Sequence, residues 1–214
     1  MEKKPICYIA GAGKWNGESF VPRDGDCVIA ADGGYRYLLE RGIRVDLVMG
    51  DFDSSERPDI RNVKVYPREK DETDLYIAVR EGFERGYRRF VIYGGLDGER
   101  FDHTLGNLQI VVRLAKEGAT ACLVDGKTTI TAVHNGTLIL PPQLRGYVSV
   151  FSFSNEARGV SLRGFKYELA NHTLYNDFPL GVSNEFTGHT GYIEVKDGTL
   201  LVVIESKTGG VVLL

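Results

Sequence analysis

What is scarce in this chain narrows the field first. Only three cysteines occur in 214 residues, and Cys7, Cys27 and Cys122 each sit singly inside an apolar run. They lack zinc-ligand spacing, and an odd number argues against a disulfide framework, so buried reduced thiols are expected. No charge of one sign dominates. The formal net charge is −3 and the 26 Lys and Arg are scattered rather than blocked, which leaves no footprint for a nucleic-acid backbone. No apolar run approaches membrane-spanning length. The start, "MEKKPICYIAGAG", has too short an apolar stretch after its lysines for a signal-peptide core. The expectation is a soluble cytoplasmic protein with neither nucleic acid nor membrane as partner. Low-complexity tracts and fixed-period repeats are also missing.

What is present falls into two rhythms. In the first half "ICYIAG", "CVIAAD", "VDLVMGD", "VKVYP", "RRFVIYGG" and "TACLVDG" read as strands. Between them "GYRYLLERG", closed by Gly42, "ETDLYIAVREGFERG" and "DHTLGNLQIVVRLAKEG" read as helices. The second helix would bury Leu75, Ala78, Val79 and Phe83, and the third Leu105, Leu108, Val112 and Ala115. Strands alternating with helices imply βαβ crossovers and a mostly parallel sheet. After Gly126 come "TTITAVH", "GTLILP", "YVSVFSF", "GVSLRGFKYEL", "GYIEVKDG" and "TLLVVIES", with no helical period among them. The expected architecture is an α/β N-terminal domain over residues 1–126, then an all-β, sandwich-like C-terminal domain over 127–214.

Ligands of open α/β sheets bind at the carboxyl ends of the strands. Four polar stretches fall at such ends: "AADGG", "GDFDSS", "PREKDETD" and "YGGLDGERFDH". Each has a plainer reading. Asp32-Gly33-Gly34 could be a turn and helix cap. Asp71 and Asp74 have the spacing of a capping box, and Asp102 could cap the third helix. "GAGKWNG" lacks the spacing of a phosphate loop and is set aside. The pair Asp51 and Asp53 is harder to dismiss. An extended D-x-D points both carboxylates one way, and such neighbours repel unless a cation lies between them. With Asp74 nearby in sequence and Lys70 and Arg100 as cations, oxygen ligands without His or Cys suit Mg²⁺. Together these groups describe a polyphosphate site.

An apolar strand leading into D-x-D resembles the haloacid dehalogenase superfamily, which implies a phosphatase with an aspartyl-phosphate intermediate. That resemblance leaves the β-rich half without a role. A second resemblance covers nearly the whole chain. "AADGGYRYLL", "GDFDS", "KDETDL", "RFDHTLGN", "GFKYEL" and "GVSNEF", in this order, are similar to the thiamin pyrophosphokinase family. It implies Mg²⁺-dependent pyrophosphoryl transfer from ATP to thiamin, giving thiamin diphosphate and AMP, in a homodimer with active sites between subunits. Carried over by position, Asp51, Asp53 and Asp74 look like metal ligands. Asp74, Arg100, Asp102 and Lys70 look catalytic, and Asp32, Gly33, Gly34, Asp71, Arg100 and His103 look ATP-binding. Tyr167, Ser183 and Asn184 match the thiamin side. The chain departs from the family pattern at Glu99, Gly106 and Phe165. Without the resemblance, Tyr167 reads as a strand residue of the core and Ser183-Asn184 as a turn. A related enzyme using another alcohol such as a pterin, or a binding module without catalysis, also fits the acceptor half.

Overall fold

A computed structural model of the chain describes residues 4–15, 20–50, 62–67, 71–96, 100–207 and 209. It divides into two compact units, Met1–Ile110 with Leu123–Asp125, and Val111–Cys122 with Gly126–Leu214. Among the described residues no helix is long and apolar enough to cross a membrane.

The first unit is built on parallel strands β1 (Cys7–Ala10), β2 (Cys27–Ala31), β3 (Leu47–Gly50), β4 (Val63–Val65) and β5 (Arg89–Tyr93). Their order is β5-β1-β2-β3-β4. Every residue of β1, β2 and β3 is buried. This is why those segments read as unbroken apolar runs: helices cover both faces of a parallel sheet. Cys7 and Cys27 are register partners across β1 and β2. All three cysteines are free and buried, as expected.

Helix α1 (Gly34–Glu40) ends just before Gly42, which takes the left-handed conformation. Helix α2 (Asp74–Glu84) buries Leu75, Ile77, Ala78, Val79 and Gly82. Its N-cap is Thr73, whose hydroxyl accepts the Tyr76 N–H at 3.2 Å. Asp71 therefore does not cap α2; it lies exposed, two residues before the cap. Thr73 takes the role because it is the extended residue directly before the first helical turn.

Helix α3 (Phe101–Lys116) is turned relative to expectation. Val112 is buried as expected, but Leu105 is 49% exposed, while Asn107, Ile110, Val111 and Leu114 are buried. These four keep i, i+3, i+4, i+7 spacing, and a polar residue begins the stripe. Asn107 hid the true phase from an apolar count. Strand β6 (Thr120–Asp125) follows.

The second unit holds β7 (Thr128–Leu140), β8 (Gly146–Ser152), β9 (Glu156–Arg163), β10 (Leu169–Tyr175), β11 (Gly181–Glu185) and β12 (Gly191–Ser206). Their pairings are antiparallel. "TTITAVH" and "GTLILP" are one long strand, β7, and "GYIEVKDG" and "TLLVVIES" another, β12. The turn residues that seemed to divide them form a bulge instead. Asn135 and Gly198 both have positive φ, and the Asn135 side chain accepts the Gly198 N–H at 2.8 Å. At that bulge β12 exchanges one neighbour for another. Ile193 and Glu194 pair with β9, whereas Leu200 to Ser206 pair with β8. Bulges bend a strand from one sheet into the next. The run "GVSLRGFKYEL" likewise ends as a strand at Arg163, before Tyr167. The core behind these strands includes Leu140, Val150, Leu162, Ile193, Leu200 and Ile204.

Candidate active site

In the first unit a cleft of about 370 Å³ opens along the carboxyl ends of the strands. Asp32, which follows β2, and Asp74 and Thr73, at the start of α2, supply its polar wall on one side. Arg100, His103, Thr104 and Asn107, from the start of α3, supply the other. The floor is backbone: Gly11, Ala12 and Gly13 after β1, and Gly94 and Gly95 after β5.

Local bonding explains why these glycines are required. The Gly11 N–H donates to the Tyr93 carbonyl at 2.8 Å and the Gly13 N–H to the Gly94 carbonyl at 3.0 Å. Gly94 has φ +66°, and a Cβ there would lie 2.5 Å from the Gly11 oxygen. Two strand ends thus approach as closely as backbone allows, and their surface is bare peptide. From the other side α3 holds this turn. Thr104 Oγ1 donates to the Leu96 carbonyl at 3.1 Å, and Asn107 Nδ2 to the Gly95 carbonyl at 2.7 Å.

Asp32 sits at φ +48°, a conformation uncommon outside glycine. Its N–H donates to the Met49 carbonyl at 2.7 Å, joining the ends of β2 and β3. Gly50, the last residue of β3, packs against Asp32: a Cβ there would lie 3.2 Å from the Asp32 Cα. Backbone strain of this kind is held in place only by surrounding structure, and it gathers at functional sites. Arg100 reaches Asp102 with Nη2 at 2.5 Å from Oδ2 and Nε at 3.3 Å from Oδ1. This bidentate grip holds the Asp102 carboxyl below its ordinary range and raises the Arg100 guanidinium. The guanidinium remains largely exposed, open to an anion in the cleft.

The site residues inferred from sequence are thus partly gathered. Asp32, Asp74, Arg100 and His103 line one cleft, Gly34 begins α1 and Gly33 is its N-cap. Asp102 is present through Arg100. Asp71 is exposed before α2. Asp51, Asp53, Lys70 and Glu99 lie outside the described residues. The floor at Gly11 to Gly13 was not among the residues inferred from sequence. "GAGKWNG" was set aside for lacking phosphate-loop spacing, yet glycines two apart directly after a strand were the available signal.

A second group lies in the second unit. Tyr167 is 59% exposed, which excludes the alternative of a core residue. Ser183 has φ +60°, and its N–H donates to Ser149 Oγ at 3.0 Å. Asn184 is buried. Its Oδ1 accepts the N–H groups of Tyr167 and Glu185 at 3.0 and 2.9 Å, and its Nδ2 donates to the Tyr167 carbonyl at 2.6 Å. Phe165, a departure from the family pattern, is buried against Phe186.

An α/β unit with a polar cleft at its strand ends, followed by an antiparallel β unit, defines a two-part ligand-binding protein of the nucleotide-handling class. Comparison with known proteins makes the class specific. A family profile described as "Thiamin pyrophosphokinase, catalytic domain" matches residues 22–123, and "Thiamin pyrophosphokinase, vitamin B1 binding domain" matches 137–200. Thiamine pyrophosphokinase of Bacillus subtilis (strain 168) is 31% identical over 183 residues, 82% of this chain and 85% of its own. A crystal structure of the B. subtilis protein superposes with a TM-score of 0.83 at 28% identity, covering 95% of this chain and 100% of that one. One from Geobacillus thermodenitrificans gives 0.82 at 28%, covering 95% and 98%. The chain belongs to the thiamin pyrophosphokinase family. Membership does not favour the phosphatase, pterin or non-catalytic readings.

Proposed function

We propose that the cleft of the first unit seats ATP while this enzyme transfers a pyrophosphoryl group from it to thiamin, releasing thiamin diphosphate and AMP. The observation that carries the seating is the convergence of Asp32, Asp74, Arg100 and His103 on a glycine-floored cleft. Exposed backbone and a cation suit phosphates, while Asp32, Gly33, Gly34 and Asp71 contact the nucleotide.

The reaction needs little covalent help, because positioning and charge neutralisation carry phosphoryl transfer. Arg100, oriented by Asp102, stabilises charge on the transferred group, and Lys70 extends that work. Mg²⁺ fits the donor set, which is all carboxylate: Asp74 faces the cleft, and Asp51 and Asp53 complete the ligands. When bound, the ion supplies charge neutralisation along the phosphates. Asp74 is also the carboxylate we assign to accept the thiamin hydroxyl proton. On the acceptor side Tyr167 stacks on the thiazolium, a contact of roughly 0.5–2 kcal/mol, Ser183 faces the aminopyrimidine, and Asn184 belongs to the same thiamin side.

By this reading residues 1–126 form the catalytic, nucleotide- and metal-binding domain and 127–214 the thiamin-binding and dimerisation domain. The protein is a homodimer whose active site takes Tyr167 from the partner subunit. Exposed Phe178, Leu180 and Val182 in the second unit support a self-association surface. Free, buried cysteines support a cytoplasmic setting.

The test is to incubate the chain with ATP, Mg²⁺ and thiamin and to follow AMP and thiamin diphosphate together. Equal yields that vanish without thiamin or Mg²⁺ are expected. Asp53→Asn should abolish them in a folded protein. Orthophosphate without AMP would overturn the reading.

A further inference from the structure

We infer that Asn184 is a positioning residue that acts on thiamin through Tyr167; this rests on the reading of Tyr167 as the ring that stacks on the substrate. The geometry begins at the isolated antiparallel bridge between Phe165 and Phe186. One residue along, the Lys166 N–H donates to the Glu185 carbonyl at 3.1 Å. Continued in register, that pairing sets the backbone of Tyr167 opposite the backbone of Asn184. In an antiparallel ladder bonded and non-bonded pairs alternate, so the pair after Lys166 and Glu185 has no peptide hydrogen bonds of its own. The Asn184 side chain supplies two, accepting the Tyr167 N–H at 3.0 Å and donating to the Tyr167 carbonyl at 2.6 Å. A carboxamide carries the same donor and acceptor as a peptide unit, so it adds a rung where the backbone ladder leaves none.

What aims the amide at Tyr167 lies one residue back. The pairing of β11 with β8 shifts register between Gly181 and Asn184, and Ser183 within the shift has φ +60°. Such a bulge re-aims the side chains beside it. Asn184 is only 4% exposed, so its bonds are shielded from water, while the Tyr167 ring is 59% exposed. A buried clamp on the backbone fixes the base of an exposed aromatic. Fixing it before ligand arrives lowers the ordering cost of binding. With Oδ1 accepting twice and Nδ2 donating to Tyr167, the amide is committed chiefly to this loop.

The experiment is a double-mutant cycle on the full-length enzyme with Asn184→Ala, Tyr167→Ala and both. The expected result is a rise of about tenfold in KM for thiamin with Asn184→Ala, the factor that freeing one ordered side chain gives. KM for ATP and kcat should hold, which a general loss of folding would not allow. The double variant should be no worse toward thiamin than Tyr167→Ala alone. Effects that add in full would overturn the inference, since Asn184 would then touch thiamin independently. An unchanged thiamin KM in Asn184→Ala, with Tyr167→Ala impaired, would overturn the positioning role alone. An unchanged KM in Tyr167→Ala would overturn the Tyr167 reading and the inference with it. Should Asn184→Ala fail to fold, Asn184→Asp takes its place in the cycle, and the same outcomes decide. It keeps both acceptor bonds but turns the donation to the Tyr167 carbonyl into a repulsive contact between two acceptor oxygens, so the clamp is broken at that carbonyl.

Discussion

Asn107 donates its side-chain amide to the carbonyl of Gly95 at 2.7 Å, and both residues are buried. Helix α3 is thereby fastened to the glycine turn that floors the cleft. Asn107→Leu keeps the branched shape and removes the donor, leaving the Gly95 carbonyl without this partner. The expected loss is about 1–3 kcal/mol of stability, read from the denaturant midpoint, with a raised KM for ATP. A variant with wild-type stability would show that the bond does not hold the turn.

Gly34 permits no side chain. A Cβ there would lie 2.0 Å from the Ala10 carbonyl oxygen and 2.9 Å from that of Gly11. Backbone cannot yield as a side-chain end can, so Gly34→Ala should destabilise by about 1–3 kcal/mol or more and distort the cleft. Thermal unfolding and ATP kinetics would show both effects.

Gly106 presents the opposite case. It lies within α3, and a Cβ added there would meet nothing within 4 Å. Gly106→Ala should stabilise the protein by about 0.5–1 kcal/mol through helix propensity. Turnover should be unchanged because Gly106 does not line the cleft. A lower unfolding midpoint would count against this account.

Burial pushes the Glu81 carboxyl up, but hydrogen bonds from Lys64 and Arg85 outweigh it and leave the group below its ordinary value. A depressed folded value contributes stability above the unfolded value, about 4.3, and loses it as pH falls through the folded one. Glu81→Gln should therefore be less stable than the parent at pH 7, with the gap closing below about pH 4. A gap independent of pH would assign the effect to packing.

If each active site combines the cleft of one subunit with Tyr167 of its partner, two impaired variants assayed at limiting thiamin should complement one another. Arg100→Ala mixed with Tyr167→Ala gives, in every heterodimer, one doubly altered site and one intact site. Random exchange should restore about a quarter of wild-type activity. No recovery after demonstrated subunit exchange would place the whole site within one chain.

Much of the fold was legible because parallel strands, buried on both faces, announce themselves as short apolar runs. "CYIA", "CVIAA" and "LVMG" are such runs, and the first two end at cleft-forming segments. The phase of α3 was not legible, because Asn107 takes a core position on account of a hydrogen bond that no hydropathy pattern encodes. Nor was the unity of β7 and β12. Asn135 and Gly198 look like turn formers from either side, and only their pairing across the strands makes them a bulge. Asp74 and Arg100 were legible through carboxylate and cation chemistry, and Asp32 through its glycine turn at a strand end. Gly11 to Gly13 were not, since bare backbone has no side-chain signature.

Strand β12 pairs with β7, β8 and β9, all of which precede it in the chain. A ribosome therefore delivers the hub of the β unit after every strand that depends on it. Until Ser206 has emerged, β7, β8 and β9 lack a shared partner, and their apolar faces must wait in the open. The parallel unit meets no such delay, since β1 to β5 and α1 to α2 are made within the first stretch of synthesis. Vectorial folding would thus favour the parallel half first. Such long-range pairing is intrinsically slow to form, which makes the β half the stage at which a nascent chain is most exposed to aggregation.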